Sequence, residues 1–281
     1  RLSARDVRVG RIKTAPACGC VPELPEVETC RRALAPLLKG RSLTAAEVRW
    51  PRAAATPLPV AGRRIVRLER RGKFLLLRLD DGWLVVHLRM TGRLVVAREP
   101  PARTTIAFGL DGGDWFCLVD MRKFGRAWLV ARASEVVGHL GPEPLSRNFT
   151  AARFEAMLAP RKARLKPLLL DQRFLAGLGN IYVDESLHAA RIHPLRTAAS
   201  LSVGEVRLLH RHIRRILRAA IAAGGTTVQD FAGPDGAPGR FRDRLQVFRR
   251  TGEPCYRCGT AVERSVVAQR GTHSCPRCQP L

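Results

Sequence analysis

Acidic residues are scarce in this chain: 24 Asp plus Glu stand against 49 Lys plus Arg, a formal charge of +25 over 281 residues. That imbalance argues against a basic partner and predicts a polyanion, nucleic acid above all, bound by contacts that weaken steeply as salt rises. Charge by itself still leaves open a generic basic surface, as in a ribosomal protein or an anionic-membrane binder. Aromatic residues are few, at 6%, and no segment approaches the length of a transmembrane helix. The basic helices lack the broad aromatic face of an interfacial helix, so no membrane partner is expected and a cytoplasmic, nucleoid-associated protein is favoured. Internal repeats are also absent. With 46% hydrophobic residues the chain can bury a sizeable core, and its length suits two domains or one with appendages.

Cysteine is unevenly placed. Cys18 and Cys20 lie in the N-terminal tail, Cys30 and Cys117 in apolar patterns, and the other four at the C-terminus. Cys255-x2-Cys258 and Cys275-x2-Cys278, with 16 residues between the pairs, have the spacing of a four-thiolate tetrahedral zinc site. Two disulfides or a redox pair are the competing readings. Zinc is preferred because four thiolates close its coordination shell, which makes one such ion structural.

Three regions follow along the chain. Phe74–Leu79 and Trp83–His87 flank Asp80-Asp81-Gly82, and Thr104–Leu110 and Trp115–Val119 flank Asp111-Gly112-Gly113, two hairpin patterns. They predict an antiparallel sandwich, joined to the next region by the Pro-rich segment Gly141–Asn148. A helical stretch runs from Phe149 to Ala223. Its last helix opens on the capping box Ser202-x-x-Glu205 and stops at Gly224-Gly225, with its arginines (Arg207, Arg211, Arg214, Arg215 and Arg218) expected on a solvated face. A Gly/Pro-rich segment then leads to a short strand, Leu245–Phe248, and the cysteines.

The most informative stretch is Pro22-Glu23-Leu24-Pro25-Glu26-Val27-Glu28-Thr29. Pro25 suits the first turn of a helix, Glu26 and Glu28 suit its positive end, and Val27, Cys30, Leu34 and Leu37 recur at helical spacing. Pro22-Glu23 is not explained by a helix start. A terminal proline is a secondary amine, nucleophilic when neutral, whereas an internal one is a tertiary amide with no basicity. Residues 1–20 hold five basic residues, one acid and no apolar run long enough for a signal peptide. They are expected to be spurious or removed, with Val21 the translated start codon or, second, with a protease exposing Pro22.

This stretch resembles the start of the formamidopyrimidine-DNA glycosylase and endonuclease VIII family, whose mature chains begin with a nucleophilic proline. The resemblance extends over residues 22–280. Gly177-Leu178-Gly179-Asn180-Ile181-Tyr182 is similar to the family's helix–two-turns–helix signature, in which the Asn is expected to cap the next helix while contacting phosphate. Arg71-Gly72-Lys73-Phe74 resembles the lysine-bearing strand start near the lesion, and Gln269-Arg270-Gly271-Thr272 the segment whose arginine grips phosphates. His87-Leu88-Arg89-Met90-Thr91-Gly92 and Asp120-Met121-Arg122-Lys123-Phe124-Gly125 look like the segments whose Met, Arg and Phe fill the gap left by an extruded base, while Thr226–Phe241 is similar to a lid. Arg161 and Lys162 match a DNA-contacting basic run.

The resemblance implies an α+β multidomain chain: a removed extension (1–21), an antiparallel β-sandwich with an N-terminal helix (22–135), a helix–two-turns–helix domain (149–230), a lid (231–244) and a zinc-finger β-hairpin (245–281). It implies a monomeric bifunctional glycosylase and abasic-site lyase acting on oxidised purines in damaged double-stranded DNA. Pro22, Glu23, Lys73 and Arg270 form its catalytic group, with His87, Met90, Arg103, Arg122, Phe124, Arg161 and Asn180 on DNA. Met, Arg and Phe as gap fillers favour this branch over an endonuclease VIII-like enzyme for oxidised pyrimidines. A non-catalytic damage binder is the reading if Pro22 stays internal. The chain departs from the family at Arg89 (for Gly), Met121 (Pro), Lys123 (Arg), Arg103 (His) and Arg240 (an aromatic residue), which bears on lesion preference.

Overall fold

The computed structural model describes residues 22–226 and 239–281. Helix α1 (Leu24–Leu38) leads into eight strands: β1 (Leu43–Val48), β2 (Ile65–Arg71), β3 (Phe74–Leu79), β4 (Trp83–His87), β5 (Gly92–Ala97), β6 (Thr104–Leu110), β7 (Trp115–Asp120) and β8 (Arg126–Val130). They form two four-stranded antiparallel sheets, ordered β1-β6-β7-β5 and β2-β3-β4-β8. Period-two patterning decides the packing. Leu75, Leu77, Leu79, Leu84 and Val86 of one sheet join Ile106, Phe108, Phe116 and Leu118 of the other in one core. Both hairpins fall where the sequence places them.

The opposite face of the second sheet is also apolar. Leu76 and Val85 pack with Val137 of the short helix α2 (Ser134–Val137), Leu140 and Ala176, which fastens the sandwich to the second region. That region holds α3 (Ala151–Leu158), α4 (Leu165–Leu170), α5 (Asn180–Ala190) and α6 (Val203–Ala222). The Ser202–Glu205 capping box is formed, each side chain accepting the other's backbone N–H. Fully burying a leucine or phenylalanine contributes roughly 1.5–3 kcal/mol, so these apolar faces fix where the elements sit.

Helix α1 belongs to both halves. Leu24 is in the core of the helical region, whereas Val27, Cys30, Leu34 and Leu38 are in the core of the sandwich. The first residues of α1 are therefore held at the junction of the two domains, where Leu24 N–H donates to Gly177 O at 3.0 Å.

The C-terminal hairpin consists of β9 (Glu263–Val267) and β10 (Arg270–Ser274). The expected strand at Leu245–Phe248 is not one. The N–H groups of Gln246, Val247 and Phe248 all donate to the buried Glu185 carboxylate, at 2.8–3.0 Å, so this apolar run bends around an acid of α5. A neighbouring acid of α5 anchors the hairpin: Asp184 accepts Lys166 Nζ at 2.6 Å and His273 N–H at 2.9 Å. Lys166 also donates to Gly271 O at 3.0 Å. Both charges of this pair are fully buried. Replacing Lys166 by Met should cost about 3–5 kcal/mol, because Asp184 is left buried without its counter-charge. A loss below about 1 kcal/mol in equilibrium denaturation of the zinc-loaded protein would contradict that.

Candidate functional site

Glu23 is buried, and its carboxylate is the centre of the site. Oε2 accepts Gly179 N–H at 2.7 Å and Oε1 accepts Ile181 N–H at 2.9 Å, so Glu23 binds the free N–H groups at the start of α5. The glycines make this approach possible. Gly177 has φ 91°, and a Cβ there would lie 2.7 Å from Leu24 Cδ1, while a Cβ on Gly179 would overlap the Glu23 carboxyl. The expected cap by Asn180 is corrected: Gly179 is the N-cap residue, and Asn180 is the first helical residue with no capping bond. Its Nδ2 donates instead to Gly271 O at 2.9 Å, and its buried Oδ1 has no partner.

Glu26 anchors the start of α1. It accepts Glu23 N–H at 2.9 Å, Tyr182 O–H at 2.6 Å and Thr226 N–H at 2.7 Å. Burial pushes the Glu26 carboxyl up from its ordinary range. Burial, reinforced by Glu26, pushes Glu23 up to about 7, against the pull of Lys73 and the N–H bonds. Desolvation wins over the bonds, leaving an acid poised to exchange a proton near neutrality. Lys73, in the turn between β2 and β3, shares the same field. Burial and the Arg270 charge lower its ammonium pKa, opposed by Glu23 and Glu26. Pro22 is buried beside Glu23.

Arg270 opens β10 and is exposed, just after a tight turn in which Ala268 and Gln269 have φ of 48° and 60°. The Lys166 and Asn180 bonds to Gly271 O hold this hairpin end against α4 and α5. Pro22, Glu23, Lys73, Asn180 and Arg270 are thus drawn together from regions far apart in sequence. His87 is adjacent: its Nδ1 accepts Arg89 N–H at 2.9 Å, which leaves Nε2 to carry the proton. Burial, with Arg89 and Lys73 nearby, lowers its pKa to about 3, so the ring is neutral.

A second group lies on two loops. Asp120 is buried and accepts the Thr91 hydroxyl and the N–H groups of Arg122 (3.0 Å), Phe124 (2.8 Å) and Gly125 (2.6 Å). It ties the Met90 loop to the Arg122–Phe124 loop, a role the sequence did not reveal. Phe124 is 45% exposed, with the Arg122 guanidinium 5.0 Å over its ring, and Met90 is half-buried. Three of the departures adopt left-handed backbone: Arg89 (φ 56°), Arg103 (66°) and Lys123 (59°), at a cost of roughly 1–2 kcal/mol each. Arg103 and Lys123 line one cleft of about 520 Å³ with Arg49 and Trp50, and the Lys123 ammonium sits 4.3 Å over the Trp50 ring.

Arg161 and Lys162 are exposed between α3 and α4; among the described residues they share no hydrogen bond with the group around Glu23. Of the segment expected to form a lid, residues 227–238 lie outside the described residues; on either side of them Thr226 and Arg240 form a bridge. Tyr182 bonds Thr226, one partner of that bridge, at 2.8 Å; both stand in motifs quoted from the sequence, which gave neither a role of its own.

The four cysteine sulfurs lie within 4.8 Å of one another, with Cys258–Cys275 at 3.4 Å and Cys255–Cys278 at 4.0 Å. A tetrahedral zinc with Zn–S bonds of about 2.3 Å places its sulfurs about 3.8 Å apart, so Cys255, Cys258, Cys275 and Cys278 fit one ion. Gln279 joins this knuckle to the helical domain, accepting Cys275 N–H at 3.0 Å and donating to Ile192 O at 2.9 Å. No helix among the described residues is long and apolar enough to cross a membrane.

Comparison with known proteins agrees with this geometry. Residues 21–127 match the formamidopyrimidine-DNA glycosylase N-terminal domain, residues 140–232 its H2TH domain, and residues 252–281 a zinc finger found in FPG and IleRS. The formamidopyrimidine-DNA glycosylase of Heliobacterium modesticaldum is 48% identical over 277 residues, covering 92% of this chain and all of that protein. The crystal structure of the MutM (Fpg) protein of Thermus thermophilus is 47% identical, with a TM-score of 0.85 over 92% of this chain and 98% of that one. The Lactococcus lactis Fpg bound to DNA containing N7-benzyl-Fapy-dG is 36% identical, with a TM-score of 0.86 over 92% of this chain and 100% of that one. Fold, buried acid and zinc knuckle together identify the chain as a member of the formamidopyrimidine-DNA glycosylase family, a DNA glycosylase of base excision repair.

Proposed function

We propose that the protein excises oxidised purines, such as 8-oxoguanine and formamidopyrimidines, from duplex DNA and then nicks the abasic strand, using Pro22 as nucleophile. The observation that carries this reading is the buried Glu23 next to Pro22, with a pKa of about 7 and Lys73 in its field. The relatives that bind Fapy-dG DNA support the substrate class.

The mechanism requires a chain that begins at Pro22. The family match starting at residue 21 supports such a start. A terminal amine has a pKa of about 7.7–8.0, so a useful neutral fraction exists near pH 7. Its lone pair attacks the sugar C1′ as the glycosidic bond breaks; the base leaves with the bonding electrons and takes up, by way of Lys73, the proton that the attacking amine gives up. Glu23 in its acid form gives its proton to the ring oxygen as the sugar opens to an iminium. That cation acidifies the adjacent C–H, and loss of this proton expels the 3′ phosphate; a second elimination expels the 5′ phosphate. Lys73 is the charge that exchanges protons both as the base departs and in these eliminations, and Arg270, Asn180 and the neutral His87 donate to phosphate oxygens.

Extruding the damaged base leaves a gap in the duplex. Met90 and Phe124 are its apolar filling and Arg122 the hydrogen-bond donor to the orphaned base, with Asp120 holding their loops. Arg103 and Lys123, lining one cationic cleft, face the phosphates on that side, and Arg161 extends the basic track. Cys255, Cys258, Cys275 and Cys278 would hold zinc in a closed four-thiolate site that would shape the hairpin carrying Arg270 and take no part in bond breaking.

Two outcomes follow. A chain beginning at Pro22 should be trapped covalently on 8-oxoguanine duplex by borohydride, which reduces an iminium, while the chain carrying residues 1–21 should not; equal trapping of both would refute the amine. Phe124→Ala should shift stability by less than about 1 kcal/mol, where a core phenylalanine would cost about 3–5 kcal/mol. It should slow excision of 8-oxoguanine more than nicking of a duplex that is already abasic. A large drop in melting temperature with normal excision by the folded protein would show Phe124 to be structural.

A further inference from the structure

We propose that Glu143, on the linker between the sandwich and the helical domain, is a positioning residue that holds Lys73 against Glu23 during base removal. The inference rests on the role given above to Lys73. Three of the four residues from Arg70 to Lys73, at the end of β2 and in the turn that leaves it, are cations, and Glu143 organises that turn. Arg70 binds its carboxylate in a fork, Nη1 to Oε1 at 3.1 Å and Nη2 to Oε2 at 2.9 Å. Arg71 Nη1 reaches Oε1 at 3.3 Å, and Gly72 N–H donates to Oε1 as well.

The linker that carries Glu143 is itself built into the helical domain. Gly141 N–H donates to Gln172 O at 2.9 Å, Ala176 N–H to Pro142 O at 3.1 Å, and Arg214 Nη1 to Pro144 O at 2.6 Å and Ser146 O at 2.8 Å. Gln172 in turn accepts Gly177 N–H and donates to Leu178 O, both at 2.8 Å. That is the loop whose Gly179 N–H binds Glu23. One short chain of bonds therefore runs from the Lys73 turn through Glu143, the linker and Gln172 to the Glu23 carboxylate. The turn and the loop belong to different domains, and Glu143 gives them a common frame.

Charge points the same way. Glu143 and Glu28, which accepts Arg70 Nε at 3.4 Å, occupy the two arginines, leaving Lys73 as the turn's cation for the catalytic acids. A bidentate, partly buried pair of this kind fixes geometry far better than an exposed ion pair. Misplacing a reacting group by about 1 Å can cost about a hundredfold in rate.

The test is a double-mutant cycle in the zinc-loaded chain beginning at Pro22, read as single-turnover excision of 8-oxoguanine well below each variant's melting temperature. Glu143→Gln keeps an acceptor for Gly72 and spares the fold better than alanine. It should slow base removal roughly ten- to a hundredfold, with duplex affinity changed by less than about twofold. In a Lys73→Ala background the same substitution should add less than about twofold, since a residue acting through Lys73 has nothing left to position. Losses that multiply, or full rate in Glu143→Gln while Lys73→Ala is slow, would overturn the role of Glu143. Full rate in Lys73→Ala would overturn the role given to Lys73 instead.

Discussion

A single buried carboxylate, Glu23, joins the two domains. It stands at the start of α1 and satisfies the N–H groups at the start of α5, 156 and 158 residues away in sequence. The positive end of α5 favours its charge, and burial disfavours it. Neither effect dominates completely: the balance leaves Glu23 at about 7 rather than in the ordinary carboxylate range. A carboxyl that holds a proton near neutral pH can serve as acid when the sugar ring opens and as base afterwards. The same bonds that set this balance also fix the acid's position, so proton affinity and geometry are not separable here.

Much of the remaining polar interior exists to keep that junction from shifting. Glu26, Tyr182 and Thr226 join the start of α1 to the bridge between Thr226 and Arg240. Lys166 and Asp184 join α4, α5 and the Arg270 hairpin through Gly271 O. Glu185 gathers three N–H groups of the segment leading to the zinc knuckle. Each is a buried acid with several donors, the arrangement that makes an interior charge tolerable. The Met90 and Arg122–Phe124 loops follow the same rule, with Asp120 at their centre. A chain poor in acids has placed several of them where they bind backbone or fix cations.

What the sequence revealed was mostly local. The hairpins are legible because side chains alternate around Asp-Gly turns, α6 because its capping box lies within four residues, and the zinc knuckle because ligand spacing encodes its geometry. Capping across domains was not. Asn180 has the chemistry of a helix cap, but the position one residue earlier carries the cap, and the acceptor comes from Glu23. Leu245–Phe248 reads as a strand from its apolar residues, yet its N–H groups go to Glu185. Glu143 and Asp120 are single acids whose partners appear only when distant loops meet. Periodicity predicts faces and lengths; it cannot report which buried acid a backbone N–H will find.

The proposed chemistry turns on the proton affinity of Glu23. Carboxyl-selective NMR titration of the ¹³C-glutamate-labelled chain, with the Glu23 signal assigned by its loss in Glu23→Gln, measures it directly. A midpoint near 7 is the result predicted from burial against the α5 terminus. A midpoint near the ordinary value of 4.5 would mean that the N–H bonds outweigh desolvation, and Glu23 would then be a fixed anion with no proton to give at neutral pH.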